Sequence, residues 1–175
     1  MENCDALESI EKYCLNNIGG LYELIYNDQD ELDVTVDPAT NMVTAIVHGS
    51  ACQSISLRKG QGNFTEPTAI DLVSGSSLTT GTINLNPTRR NAAASRAIKV
   101  MGQGQRYLGC FCKDGNGLWW YFPEMQLSSV GGGSGAAKPE GSKYEITLVN
   151  EVALEDMAYV VPEALILPLL SPPAP

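Results

Sequence analysis

From Gly20 the chain alternates with a period of two: in GLYELIY, Leu21, Glu23 and Ile25 point one way while Tyr22, Leu24 and Tyr26 point the other, which predicts a strand. The acidic stretch NDQDELD then reads as a turn and the start of a second strand. Pro38 and Asn41 mark another turn, and the β-branched run MVTAIVH, Met42 to His48, reads as a third strand. Residues Gly49 to Asn86 are rich in Gly, Ser, Thr and Gln, with strand-like pieces at Ser54 to Leu57, Thr68 to Val73 and Leu78 to Leu85. That composition predicts a long polar hairpin projecting from a core, either a loose loop or an arm that pairs with a neighbour. The strongest hairpin signal is Tyr107 to Phe122, where YLGCFC, the turn KDGNG and LWWYF follow one another. KYEITLV, Lys143 to Val149, completes the strands, with Tyr144, Ile146 and Leu148 on one face.

Two stretches carry a helical pattern. Residues 1–18 fit a short helix capped by Asn3 or Asp5, with Leu7, Ile10 and Cys14 near one face and Gly19-Gly20 as its stop. Thr88 to Met101 fits an interior helix started by Pro87-Thr88 and stopped by Gly102. Its Ala93, Ala94, Ala97, Ile98 and Met101 form one face, and Arg89, Arg96 and Lys99 the opposite one. Ser128 to Ser142 reads as a flexible loop by its glycine and serine content. Beyond Asn150 the chain is apolar but broken by prolines, a pattern that cannot continue a sheet interior and must be covered, by the parent domain or by a neighbouring subunit. The expected organisation is one β-rich domain over residues 1–150, a β-sandwich or partly open barrel with one flanking helix, followed by an apolar, proline-rich extension over 151–175.

Charge changes this picture. The 175 residues carry a net charge of −9, which argues against an ordinary basic nucleic-acid binder. The charge is segregated: residues 1–37 hold ten acids and one lysine, whereas residues 72–113 hold six bases and no acid. Such blocks either even out over a solvated surface or make a surface complementary to itself, in which a basic patch on one copy meets an acidic patch on the next. Five cysteines, an odd number, argue against a disulfide framework, and Cys110 and Cys112 share one face of a strand as buried thiols. The first residues lack the basic start and apolar stretch of a secretory signal, and the longest apolar run is interrupted by Pro162 and Pro168, short of the roughly 20 residues a membrane span needs. Cytoplasmic synthesis without membrane insertion is the expectation.

Catalytic and metal chemistry is not legible. His48 is the only histidine, there is no C-x-x-C pair, and the acids around Asp28 and Asp30 lack the glycine and terminal glutamate of a calcium loop. The glycines before Lys138 do not make a phosphate loop, because Pro139 stands where Ser or Thr is required. No metal, no cofactor and no enzymatic activity are expected. An aromatic platform for sugar built from Trp119, Trp120 or Tyr121 is the alternative to core packing for these side chains, and would make the chain a monomeric carbohydrate-binding β-sandwich.

Taken in order, Cys14 followed by IGGLYELIYND, the polar hairpin region, one central helix, the DGNG hairpin with its aromatics, the loop GSGAAKPEGS and then YEITLVNE resemble the tail tube proteins of phages infecting Bacteroidetes-type hosts. The resemblance covers roughly residues 14–151; the proline-rich end after Asn150 departs from it. It implies a virion subunit made in the host cytoplasm, a homo-oligomer of hexameric rings stacked into a tail tube, in contact with other virion proteins. DNA would pass through an acidic lumen without specific binding. Head decoration, a connector or a tail terminator would use similar physics. The helix's basic residues Arg89, Arg96 and Lys99 are the candidate assembly contacts.

Overall fold

A computed structural model describes residues 7–172. Its eleven strands are β1 (Leu21–Asp28), β2 (Leu32–Asp37), β3 (Met42–His48), β4 (Gln53–Ser56), β5 (Gly62–Thr65), β6 (Thr68–Ile70), β7 (Ser77–Leu85), β8 (Leu108–Asp114), β9 (Trp119–Gly133), β10 (Lys143–Val152) and β11 (Tyr159–Val161). Helix α1 spans Ala92–Met101 and the single turn α2 spans Glu163–Ile166. The fold is mainly β, as the period-two runs predict, and it forms a curled, open half-barrel.

Two sheets share β9. Its first part lies between β8 and β11 in a sheet ordered β2-β3-β11-β9-β8-β1-β4, and its second part pairs with β10, which pairs with β7. Both β5 and β6 add to β7. The transfer between sheets happens at Pro123-Glu124, where Glu124 has φ +53 and the β8–β9 register slips between Phe122 and Met125. An extra residue in one strand bends it and increases its twist, so this bulge is the corner of the half-barrel.

Alternation along the central strands fills two cores. Leu24, Cys110, Cys112 and Phe122 face the second sheet and meet Ile83, Leu85, Ile146 and Leu148, joined by Ile98 and Met101 of α1. Their neighbours Ile25, Phe111, Trp119 and Tyr121 face the other way, into a core completed by Val43, Tyr159, Val161, Ile166 and Leu169. Both faces of the aromatic hairpin are therefore covered.

Four expectations need correction. Residues 7–18 carry no helix, while Asn3 and Asp5 lie outside the described residues. Residues 7–19 are all exposed, and an apolar stripe with nothing to pack on does not sustain so short a helix. The interior helix begins at Ala92 rather than Thr88: Thr88 forms a β-bridge with Lys143, Arg89 sits at φ +67, and the Asn91 side chain caps the helix by accepting from Ala94 N at 2.8 Å. The glycine-rich stretch after Ser128 is strand as far as Gly133, in register with Lys143 to Ile146. Gly132, at φ +105, is required there because a Cβ would collide with the Lys143 carbonyl, so its glycine marks a close strand approach and not a linker. Finally, the proline-broken tail does enter a sheet interior. β11 is three residues long, runs parallel to β3 and antiparallel to β9, and fits between Met157 and Pro162.

Candidate assembly surfaces

The polar stretch 49–86 is divided among four strands, and what projects from it is the β6–β7 hairpin. Its tip is folded by Asp71, whose carboxylate accepts from Val73 N and Ser74 Oγ, both at 2.8 Å, and is thereby held below the usual carboxylate range. This rigid turn presents Leu72 and Val73 to solvent at 94% and 98% exposure.

A second projection is the segment 7–18. Leu7 and Ile10 are fully exposed and Tyr13 and Leu15 largely so, and no backbone hydrogen bond ties residues 7–17 to the rest of the described chain. Its base is fastened by the DGNG turn. Asn116 Oδ1 accepts from Ile18 N and Asn116 Nδ2 donates to Asn17 Oδ1, each at 2.8 Å, and Gly115 N donates to Gly20 O at 3.0 Å. Asp114 sets that turn, accepting from Asn116 N, Leu118 N and Trp120 Nε1. The segment is thus an arm with a fixed root.

Beside α1 lies an open groove of ≈ 360 Å³ between the helix and the far end of β1. Its floor is mainly apolar, from Tyr26, Ala93, Ala97, Val100, Met101 and Leu108, and Asp28, Arg96 and Arg106 stand at it. Arg106 is paired with Asp28 at 3.0 Å. Arg96 has no carboxylate partner among the described residues.

The three candidate contact residues are separated by this geometry. Arg96 and Lys99 are exposed on α1, with Arg96 at the groove. Arg89 is off the helix, in the turn before it, its N–H donating to Ser142 O at 2.7 Å. Arg90, which the sequence pattern did not single out, stacks over the Tyr144 ring at 4.6 Å from its centre. The groove had no local signal, since its lining converges from β1, β4, α1 and the start of β8.

The residues considered for other chemistry lie on β3 and β9. Trp119 and Tyr121 are each 4% exposed, and half-buried Trp120 is engaged by Asp114, so the three form no aromatic platform. His48 ends β3 with Nδ1 3.0 Å from the Ser50 carbonyl. No cluster among the described residues is suited to holding a metal ion, and none of their helices is long and apolar enough to cross a membrane. Comparison with protein-family models, curated proteins and solved structures finds no match to this chain.

Proposed function

We propose that this chain is a structural virion subunit that assembles with copies of itself into hexameric rings stacked as a phage tail tube, through which DNA passes without specific binding. The observation that carries this reading is the arm. Apolar side chains at Leu7, Ile10, Tyr13 and Leu15 stand in solvent on a segment rooted at Asn17 and otherwise unsupported by its own domain. An exposed apolar segment of this size belongs against a partner surface. The hairpin tip at Leu72-Val73 is a second such contact, and charge segregated along the sequence supplies acidic and basic segments that can pair between copies of one chain. A half-barrel with both sides of its central sheet buried is a scaffold for such projections, and net acidity suits a channel over which a polyanion slides.

Negative-stain electron microscopy with light scattering, over rising protein concentration, tests this reading. Rings or stacked tubes are expected for the full chain, and smaller species for a variant lacking residues 1–16 whose domain still melts cooperatively. A full-length protein that stays uniformly monomeric at millimolar concentration overturns it.

A further inference from the structure

We infer that the groove beside α1 receives the arm of a second copy of this chain, with the Glu8 and Glu11 carboxylates of one copy meeting Arg96 of the next. The inference rests on the assembly reading and gives it a specific contact. Four observations converge on it. The arm carries Leu7 and Ile10 alternating with Glu8 and Glu11, with Lys12 beside them, and above its root it is exposed and has no backbone hydrogen bond to the rest of the described chain. The groove offers the complement, a mainly apolar floor in which Ala93 and Ala97 lie among Tyr26, Val100, Met101 and Leu108. Its charges are not equivalent: Asp28 is already matched by Arg106, which leaves Arg96 as the groove cation without an ion pair among the described residues. Lys99, exposed one turn further along α1, adds to the positive field.

The arm and the groove lie at opposite ends of β1. The arm is rooted at the Leu21 end of β1, beside the Gly115-Asn116 turn, whereas the groove is built on the Tyr26 to Asp28 end. A strand of eight residues separates these ends by about 20 Å. An arm leaving one end of a domain and a receptor at its other end form a heterologous pair, the arrangement that propagates into rings or stacks.

Charge reversal tests the contact in the full-length protein. Arg96→Glu, and separately Glu8→Arg with Glu11→Arg, each place like charges together and are expected to weaken self-association about tenfold. Both sites lie on the surface, so thermal melts of the variants should match the parent. Mixing the two variants is the decisive step: the acidic arm of one then faces the Arg96 groove of the other, and the basic arm faces Glu, so the mixture should associate to within about threefold of the parent. Rescue only when all three substitutions are in one chain, with none on mixing, would mean that the arm docks on its own domain and would overturn the inference. If the parent assembles but neither variant weakens it, the arm binds elsewhere and the inference fails while the assembly reading stands. A parent that never assembles removes both.

Discussion

At the scale of single residues, burial decides which groups are chemically available. Cys110 and Cys112 are fully buried in the core between the sheets, and burial pushes both thiols up, while Cys52 is pushed up to about 11. Cys14 is exposed on the arm. At pH 8 a thiol reagent followed by peptide mapping should therefore label Cys14 within minutes and reach Cys52, Cys110 and Cys112 only in denaturant. Labelling of Cys110 in the native protein would mean that the two sheets separate readily. Glu66 gives a pH-dependent case. Burial raises its carboxyl, and the hydrogen bond it accepts from Ala158 N at 2.9 Å pulls the other way. The folded state thus holds this proton more tightly than the unfolded chain does, so the contribution of Glu66 to stability falls as pH rises through the window above the ordinary value of about 4.3. Glu66→Gln keeps an acceptor for Ala158 and removes the ionisation. Its melting temperature relative to the parent should be higher at pH 8 than at pH 4, and a difference independent of pH would show that the carboxyl ionises without penalty.

At the scale of elements, the C-terminal segment closes the second core. β11 fills the space between β3 and β9, and Ile166 and Leu169 are 3% and 1% exposed, in the core that also holds Phe111 and Tyr121. Cys52 N donates to Leu169 O at 2.8 Å, tying this segment to the start of β4. Leu169→Ala should cost about 2–5 kcal/mol in urea unfolding, the range for a buried leucine truncated in a core that collapses only partly. A loss under about 0.5 kcal/mol, typical of surface positions, would show that the segment is held loosely. Elements whose signal is local were legible in the sequence: β3 from its β-branched run, the β8–β9 hairpin from its turn, β10 from its alternation. Those fixed by distant partners were not. The start of α1 is displaced because Arg89 and Thr88 are held by Ser142 and Lys143, and β11 exists because β3 and β9 leave a place for a short strand between them. The apolar spacing of Leu7, Ile10 and Cys14 reads as a helix, yet helical spacing yields a helix only where a surface receives its apolar side. The candidate surfaces divide in the same way. Arg96 and Lys99 were read from the helical period, but the groove that gives Arg96 its setting is assembled from parts of the chain about seventy residues apart.

For the whole molecule, charge and apolar contact make opposite predictions about salt. In the proposed assembly the ten acids of the first 37 residues on one copy meet the six bases of residues 72–113 on the next, and the arm adds side chains whose association water drives. Raising ionic strength from 0.1 M to 1 M shortens the screening length from about 10 Å to about 3 Å, which weakens attraction between exposed charges but leaves apolar burial intact. Sulfate screens as chloride does and also strengthens apolar burial, because it is excluded from protein surface. Sedimentation of the full chain in sodium chloride and in sodium sulfate at matched ionic strength therefore separates the two forces. If charge sets the pairing and the arm supplies much of its strength, association should fall about tenfold over the chloride series and recover in part in sulfate. Indifference to chloride would reduce the charge blocks to a solvated surface and leave apolar contacts to hold copies together. Loss in both salts to the same extent would show that the exposed side chains of the arm contribute little to the assembled state, and would place the assembly contacts on the charged faces alone.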